Sequence, residues 1–370
     1  MRIGIPSETK TLEGRVALVP EAAGDLVNRG HEVWVQKGAG LKSGFSDEAY
    51  TRLGVKIAPD AAALYEKGEL IVKVKEPIEG DLALLRKDHL LFCYLHLAPL
   101  PELTKRLLDI GLTGVAFETV ELDNGELPLL APMSVIAGKI AVQVGTHYLH
   151  QPLGGKGKLL GGLPSTERGK VVVFGAGVAG GASAALAAAG GANVVVFEKR
   201  QDRMEQMMRL GNNVTALYPY DDVVAREVAS ADLVIGAVLV TGAVAPHVVT
   251  REMIKSMEDG SVLVDISIDQ GGCFETSRGT TWKEPIYVEE GVTHFCVTNM
   301  PGAVPVTSSH ALNHATLPFG LALASKGLRA LVEDPHLRAG LNVDRGRITN
   351  RAVAESQHLA AVMPEEALAS

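Results

Sequence analysis

The chain has 370 residues, and its 35 basic and 43 acidic side chains give a net charge of −8 at neutral pH. A single hydrophobic core rarely grows to this length, so we expect two domains. The acidic balance, without a long run of either sign, argues against nucleic acid as a partner. Cys93, Cys273 and Cys296 are far apart and lie in or near apolar stretches. That spacing favours buried thiols, and we expect neither a disulfide framework nor a metal site.

No segment of the sequence has the pattern of a targeting or membrane segment. The beginning, MRIGIPSETK, contains no long apolar run, so we expect no secretory signal and a reducing, cytoplasmic compartment. The most apolar stretch, ADLVIGAVLVTGAVAPHVV from Ala231, is interrupted by Gly242 and Pro246. We interpret it as a buried strand followed by a loop, and we predict no membrane span.

The first third of the chain alternates short apolar runs with amphipathic segments. This pattern is typical of strands separated by helices in an α/β domain. The predicted strands begin at Arg2, Glu32, Glu69, Leu90 and Gly114, with a helix from about Pro20. A glycine-rich stretch from Pro152, PLGGKGKLLGGLPSTERGK, then interrupts the pattern. We interpret it as a loop that contacts a ligand or a neighbouring subunit.

A second series of strands and helices follows the glycine-rich loop. Its strands are predicted at residues 171–174, 193–198, 231–237, 261–267 and 293–299. After Pro301 the pattern becomes helical and includes LALASKGLRALVED from Leu321. We expect this tail to pack on the first domain.

A glycine-rich turn opens the second series and is typical of dinucleotide binding. The run VVVFGAGVAG from Val171 places Gly175, Gly177 and Gly180 in GxGxxG spacing, and an alanine-rich helical segment follows. Gly175 permits the tight turn, Gly177 lets the backbone approach a pyrophosphate, and Gly180 lets the helix pack on the strand. The first turn of that helix supplies amide donors and a positive dipole to the phosphates.

The acidic residue that such a site requires ends the next predicted strand. The run NVVVFE places Glu198 roughly 20 residues beyond Gly175, where its carboxylate accepts hydrogen bonds from the adenosine ribose. A lone GxGxxG is compatible with a simple turn, but the strand, helix and acidic residue together predict a dinucleotide site. The sequence therefore predicts an α/β fold with two Rossmann-like domains, doubly wound and mostly parallel sheets, and a cleft between the domains.

Three polar residues of the first domain are candidates for a substrate site. Lys75 ends the run IVKVK, His96 ends LLFCYLH, and Arg15 lies in the early loop before VALVP. Ligands of open α/β sheets bind at the carboxyl ends of strands, where Lys75 and His96 are expected. Taken singly, each is also compatible with an ordinary role as a solvated arginine, a surface lysine or a strand-end histidine.

The second domain offers two aspartates in SVLVDISIDQGG. Asp269 is expected just beyond the end of a strand, which makes it the candidate for proton transfer. Asp265 falls within the strand and is interpreted as a structural cap or ion-pair partner. Position alone leaves this site a hypothesis.

Several longer motifs extend over nearly the whole chain, through about Pro318. They are GIPxExKxxExRVALxP from Gly4, VKVKEP from Val72, LFCYLHLA from Leu91, APMSxIAGxxAxQ from Ala131, VLVDISIDQGGCFETSRGTT from Val262 and NMPGAVPxTSSHALxxATLP from Asn299. Together they resemble the alanine dehydrogenase family. The resemblance implies an NAD-dependent enzyme that interconverts L-alanine with pyruvate and ammonium by hydride transfer.

The resemblance also implies roles for individual residues. Arg15 and Lys75 would bind the substrate, and His96 and Asp269 would transfer protons. The implied NAD contacts are Ser134, Gly175, Gly177, Val178, Ala179, Gly180, Glu198, Arg203, Val238, Leu239, Ile266, Asp269, Arg278, Val297, Asn299 and Met300. Residues 1–130 with 306–370 would form the substrate-binding domain and residues 131–305 the NAD-binding domain of a homo-hexamer.

The chain departs from the family pattern at a few positions. Tyr218, Pro219 and Tyr220 stand where the family often has a tyrosine and two serines, which puts a hydroxyl contact to the cofactor in doubt. Val306 replaces a common basic residue, and Glu198 replaces the usual aspartate.

Two other classes of protein share much of this pattern. One is a related dehydrogenase of a larger amino acid, of the saccharopine or carboxyethyl-amino-acid type. The other is the nucleotide-binding subunit of a proton-translocating transhydrogenase. The complete set of Arg15, Lys75, His96 and Asp269, without a membrane segment, argues against the second class.

Overall fold

The computed structural model describes residues 1–238 and 247–369, which form two compact units. One unit comprises Met1–Met133 with Gly302–Ser370, and the other comprises Ser134–Pro301. Leu239, one of the predicted NAD contacts, lies outside the described residues. Each unit is built on one sheet with helices, so the predicted α/β class is confirmed. The assignment of substrate and NAD to separate domains stays a prediction.

The secondary structure follows the predicted alternation of strands and helices. The strands are β1 (Arg2–Ile5), β2 (Glu32–Gln36), β3 (Lys56–Ala58), β4 (Leu70–Val72), β5 (Leu90–Cys93), β6 (Thr113–Ala116), β7 (Lys170–Phe174), β8 (Asn193–Phe197), β9 (Val214–Leu217), β10 (Leu233–Gly236), β11 (Val262–Asp265), β12 (Ile286–Glu289), β13 (Val292–Phe295), β14 (Leu341–Asp344) and β15 (Arg347–Ile348). The helices are α1 (Pro20–Asn28), α2 (Asp47–Thr51), α3 (Ala61–Lys67), α4 (Glu79–Leu82), α5 (Pro101–Ile110), α6 (Ala131–Tyr148), α7 (Val178–Ala189), α8 (Gln201–Met208), α9 (Asp221–Ala229), α10 (Arg251–Lys255), α11 (Pro305–Lys326), α12 (Arg329–Glu333), α13 (Pro335–Ala339), α14 (Arg351–Ser356) and α15 (Pro364–Ala369).

The first unit contains a sheet in the order β15-β14-β6-β5-β4-β1-β2-β3. Strands β1 to β6 pair in parallel, and every residue of β4, β5 and β6 is buried. Burial on both faces is what parallel strands require, and it explains why these runs are continuously apolar. The strand order reverses between β1 and β4. The carboxyl ends of β4 and β5 therefore lie at the kind of edge where open α/β sheets bind ligands.

The end of the chain returns to the first unit, as predicted, but it is not wholly helical. Gly327, at φ +57°, ends α11, so the single helix expected from Leu321 is divided between α11 and α12. Strands β14 and β15 form an antiparallel pair beside β6 that the sequence did not indicate. They are short and partly polar, and Arg345 and Gly346 turn between them at positive φ.

The second unit contains a sheet in the order β12-β13-β11-β10-β7-β8-β9, in which only β12 is antiparallel. This is the doubly wound arrangement predicted from the sequence, with the strand order reversing between β7 and β10. Strands β9 and β12 at the two edges were missed, since both are partly exposed and carry no continuous apolar run.

The most apolar stretch of the sequence supplies the buried strand β10 in the centre of this sheet. That placement agrees with its interpretation as a strand. None of the helices within residues 1–238 and 247–369 is both long and apolar enough to cross a membrane. Cys93, Cys273 and Cys296 are all buried, as expected.

Candidate active site

The glycine turn of the second unit joins β7 to α7. Gly175 has φ +92°, and a Cβ placed there would lie 2.6 Å from the carbonyl oxygen of Ala237. A Cβ at Gly180 would lie 1.8 Å from the carbonyl oxygen of Gly175. At Gly177, by contrast, the nearest atom to an added Cβ is Nη1 of Arg203, at 3.9 Å. Two glycines are thus required by packing, while the third leaves space for a ligand beside the start of α7.

The carboxylate of Glu198 is held at this turn by backbone amides. Oε2 accepts from the N–H of Ala176 at 3.0 Å, and Oε1 accepts from Lys199 at 2.7 Å and Arg200 at 3.0 Å. Burial favours protonation, but these amides and the charge of Arg203 outweigh it and lower the pKa of Glu198. Nη1 of Arg203 lies 3.9 Å from Oε2, so the main partners of the carboxylate are amides. A fixed, ionised acceptor results.

The departure at Tyr218 and Tyr220 lies next to Glu198. The N–H of Glu198 donates to the carbonyl of Leu217, the last residue of β9, at 3.1 Å. The two tyrosine rings that follow are exposed, with centroids 4.8 Å apart. This chain therefore carries a second aromatic ring, that of Tyr220, where the family pattern suggested a small hydroxyl side chain.

Two neighbouring strand ends bring Val238 beside the turn that contains Ile266 and Asp269. The hydroxyl of Ser267 donates to the carbonyl of Val238 at 2.8 Å. Asp265 accepts from the backbone of Ser267 and Cys273 and from the hydroxyl of Ser277. Its interpretation as a structural cap is confirmed. Asp269 lies on the short 3₁₀ helix after β11, and its side chain is exposed.

Arg278 is held at another part of the unit. Its guanidinium carbon lies 3.6 Å from the ring centroid of Tyr287, and Nη1 lies 3.5 Å from Glu289. Both partners belong to β12, which stands four strand intervals from β7, or roughly 19 Å at the usual spacing. Arg278 is thus held beside β12, and its contact with NAD stays a prediction.

The remaining predicted NAD contacts of the second unit lie in ordinary packed surroundings. Ser134 is partly buried near the start of α6. Val297, buried, bridges to Thr280, and the carbonyl of Asn299 accepts from Nε1 of Trp282 at 3.0 Å. Met300 is buried. The contacts of these residues do not test their predicted role in NAD binding, which stays a prediction.

In the first unit, Arg15 is buried, with 2% of its side chain exposed. Its Nε and Nη2 donate to the two oxygens of Glu13 at 2.7 and 2.6 Å, and Nη1 lies 3.2 Å from Sδ of Met133. Burial disfavours the charged guanidinium, but Glu13 outweighs it and raises the pKa of Arg15. Its reading as a solvated loop charge is thus wrong. Arg15 is a fixed cation with a defined orientation.

Lys75 is also largely buried, which overturns its reading as a surface lysine. Its Nζ lies 3.9 Å from Oε2 of Glu76, whose other oxygen pairs with Nζ of Lys10. The neighbouring Lys73 is 1% exposed and lies 3.4 Å from both Glu8 and Asp81. Buried charges persist only where they are paired, so these carboxylates explain how the lysines are kept inside.

His96 follows β5 with a left-handed backbone, at φ +47°. Its ring is parallel to that of Tyr94, with an interplanar angle of 10° and centroids 5.6 Å apart. Burial lowers the pKa of His96 to about 4; Glu118 opposes this, while the charges of Lys75, Lys10 and Arg15 add to it. The substrate candidates Arg15, Lys75 and His96 therefore share one electrostatic environment. At neutral pH the imidazole is neutral and can accept a proton.

We expect the imidazole of His96 to remain neutral at pH 6. Its folded-state pKa of about 4 lies below the ordinary 6.5, so the unfolded chain binds more protons between these values. The contribution of this group to stability is thus full above pH 6.5 and is lost as the pH falls towards 4. Histidine-labelled NMR spectra, assigned by comparison with His96→Asn, measure the titration. A midpoint near 6.5 would show that the surroundings of the ring do not lower its pKa.

Comparison with known proteins supplies the family. The N-terminal domain of the alanine dehydrogenase/PNT family matches residues 4–137, and its C-terminal domain matches residues 141–351. The chain belongs to the alanine dehydrogenase/PNT family. Alanine dehydrogenase of Halomonas elongata is 50% identical over 358 residues, which is 96% of each chain. The Bacillus subtilis enzyme is 46% identical, covering 100% of this chain and 98% of the relative.

Solved structures of the alanine dehydrogenase/PNT type agree with the sequence relatives. An L-alanine dehydrogenase is similar with a TM-score of 0.93 and 45% identity, covering 97% of this chain and 99% of that one. A transhydrogenase from Sinorhizobium meliloti is similar with a TM-score of 0.81 and 25% identity, covering 95% of this chain and 100% of that one. Both show the predicted fold.

The carboxylates that contact the candidate substrate residues and their neighbours were not predicted from the sequence. Glu8 and Glu13 lie within the first quoted motif and Glu76 within the second, so a signal was present but was not interpreted. Glu118 lies in none of those motifs. Its role becomes visible only because the fold places it beside His96.

Proposed function

We propose that the chain catalyses the reversible, NAD-dependent oxidative deamination of L-alanine to pyruvate and ammonium. The observation that carries this proposal is the cluster of buried Arg15, buried Lys75 and neutral His96 in the first unit. Binding of the substrate carboxylate requires cationic side chains, and deamination requires a group that accepts a proton. The relatives named alanine dehydrogenase, at about half identity over nearly the whole chain, support it.

Arg15 binds the substrate carboxylate in this proposal. Because Glu13 holds Nε and Nη2, the orientation of the guanidinium plane is set before a substrate arrives. Lys75 then polarises the carbonyl oxygen of pyruvate or supports the carboxylate from another side. Both cations are desolvated, so their attraction to the substrate is stronger than it would be in water.

His96 transfers the proton. During deamination, water adds to the iminium carbon, and the neutral imidazole accepts the proton that this water loses. The resulting imidazolium protonates the amine of the carbinolamine, and as ammonia leaves the imidazole accepts the hydroxyl proton, so that the carbonyl forms and the proton passes to ammonia to give ammonium. The steps reverse during reductive amination. Asp269 is proposed as a second proton-transfer group, which rests on the family resemblance.

The glycine turn and Glu198 fit a nicotinamide dinucleotide, because a Cβ at Gly177 would occupy open space beside the amides of α7. When bound, this cofactor supplies the hydride acceptor. The backbone of Gly177, Val178 and Ala179 would hold the pyrophosphate, and Glu198 would accept from the ribose hydroxyls.

We expect a preference for NADH over NADPH that weakens in Glu198→Ala. The ionised carboxylate of Glu198 repels the 2′-phosphate of NADPH. When this carboxylate is removed, Arg203 remains and can bind the phosphate. The measurement is the ratio of kcat/KM for the two cofactors. Glu205→Ala, on the exposed surface of α8, serves as the control. An unchanged ratio in Glu198→Ala would show that this residue does not contact the ribose.

We also propose a homo-hexamer located in the cytoplasm. The family resemblance supports the assembly. In addition, Leu153, Leu159 and Leu163 of the glycine-rich loop are exposed, as expected of residues that a neighbouring subunit covers.

One experiment tests the function directly. Purified protein is mixed with NADH, ammonium and pyruvate, and the loss of NADH absorbance is followed, with glyoxylate and 2-oxoglutarate as comparison substrates. Turnover with 2-oxoglutarate but not pyruvate would overturn the alanine assignment. The similarity to the Sinorhizobium meliloti transhydrogenase makes a transhydrogenase-type role the second candidate. That role predicts no turnover of pyruvate, glyoxylate or 2-oxoglutarate.

A further inference from the structure

Glu118 makes an unusual set of contacts with the backbone of the candidate proton acceptor. It lies on the 3₁₀ turn Phe117–Thr119, directly after β6. Its Oε1 accepts from the backbone N–H of His96 at 2.6 Å, and its two oxygens lie 3.3 and 3.2 Å from the N–H of Leu95. One carboxylate thus receives two successive amides from the chain after β5.

The parallel register of β5 and β6 brings these groups together. Cys93 is paired with Ala116 at the ends of the two strands. Leu95 and Glu118 each follow by two residues, so the carboxylate stands where the next strand contact would be. It continues the hydrogen bonding of the sheet edge with a side chain instead of a backbone carbonyl.

The contact of Glu118 with the His96 amide bears on an unfavourable backbone conformation, because His96 has a left-handed backbone although it is not a glycine. A left-handed backbone, here at φ +47°, costs an ordinary residue about 1–2 kcal/mol. Such conformations persist only when the surrounding structure imposes them. A charged acceptor forms a stronger hydrogen bond than a neutral one, which makes the carboxylate a suitable means of imposing it.

The ring of His96 is fixed from the same turn. Phe117, the neighbour of Glu118, packs edge-on against Tyr94 with centroids 5.0 Å apart. Tyr94 in turn donates its hydroxyl to the carbonyl of Leu129 at 2.6 Å and stacks on His96. The backbone of His96 thus contacts Glu118 directly, whereas its ring contacts Tyr94, which packs against Phe117 of the same turn.

We propose that Glu118 is a positioning residue for His96. Its carboxylate holds the backbone of Leu95 and His96 in the conformation that directs the imidazole towards the environment of Arg15 and Lys75. This inference deepens the proposed function and rests on it. Glu118 itself exchanges no proton with the substrate.

Two substitutions separate the reach of this side chain from its charge. Glu118→Gln keeps an oxygen within reach of the His96 amide but removes the charge, whereas Glu118→Asp keeps the charge and shortens the side chain. We expect Glu118→Asp to lower kcat by roughly 10–100-fold, since a displacement of about 1 Å can cost that much. Glu121→Gln, exposed on the following segment, is the control and should leave kcat unchanged.

The pH profile distinguishes positioning from general damage. The negative charge of Glu118 opposes the lowering of the His96 pKa, so its removal should move the acid limb of kcat/KM to lower pH in Glu118→Gln. Glu118→Asp should not move it. A double mutant with His96→Asn should be no slower than His96→Asn alone, because a residue that acts through His96 has nothing left to position. Multiplying effects would overturn the inference.

Hydrogen exchange of the segment 90–97 provides a readout that needs no turnover. We expect faster exchange at Leu95 and His96 in both Glu118 variants and no change in Glu121→Gln. Unchanged exchange would overturn the positioning role. Failure of the wild type to convert pyruvate would overturn the proposed function instead, so the two failures are distinguishable.

Discussion

Replacement of His96 by asparagine is expected to lower turnover of alanine and of pyruvate by roughly 10²–10⁴-fold, the usual contribution of a proton-transfer group. Asparagine tolerates the left-handed backbone that His96 adopts, so the substitution removes the imidazole with little added strain. NADH affinity should not change, since the predicted dinucleotide contacts lie in the glycine turn and in Glu198. Steady-state kinetics in both directions and a fluorescence titration with NADH measure the two quantities.

The chain offers a matched control for this substitution. His358 is a second histidine of the first unit with a left-handed backbone, at φ +56°, but it is exposed. His358→Asn therefore makes the same chemical change in the same backbone conformation, outside the cluster. We expect wild-type kinetics. Near-normal turnover of His96→Asn, or an equal loss in both variants, would remove the imidazole of His96 from the mechanism.

The central strands of both sheets could be predicted because strands that are buried on both faces consist of continuous apolar residues. A central parallel strand is apolar along its whole length, as VVVF at Val171 and LLFC at Leu90 show. The edge strands β9, β12 and β15 lack this signal because they are short and partly exposed, and β14, next to the edge, is short and partly polar although it is buried. Their pairing depends on the neighbours that the fold supplies.

The glycine turn could be predicted for a different reason. Its requirements are local, since Gly175 needs a positive φ and Gly180 must pack closely on the carbonyl of Gly175. These requirements place glycines at a fixed spacing in the sequence. The contact between Glu118 and the backbone of His96 leaves no comparable pattern of fixed spacing in the sequence. His96 and Glu118 are 22 residues apart, and nothing in a lone glutamate distinguishes a half-buried acceptor of backbone amides from a solvated surface charge. The same holds for the burial of Lys75, which was visible only in the structure.

Replacement of Arg15 by lysine is expected to raise the KM for pyruvate by roughly 10–100-fold, as a charged hydrogen bond of about 1.5–3 kcal/mol is lost. A lysine retains the positive charge but not the planar fork that Glu13 orients through Nε and Nη2. NADH affinity should hold. Measurement of KM for pyruvate at saturating NADH and ammonium tests this, and unchanged pyruvate saturation would place Arg15 outside the substrate site.

Stability should separate the two functions of this arginine. In Arg15→Lys, the buried carboxylate of Glu13 keeps the backbone N–H of residue 15 but exchanges the paired donation from Nε and Nη2 for a single ammonium, and we expect the weaker pairing to cost about 1–3 kcal/mol. Adding Glu13→Gln removes the buried negative charge that the guanidinium matched, so the double variant should regain much of the lost thermal stability. It should not regain affinity for pyruvate, because the fork is still absent. If affinity returned together with stability, the effect of Arg15→Lys on KM would come from disorder of the loop and not from loss of carboxylate recognition.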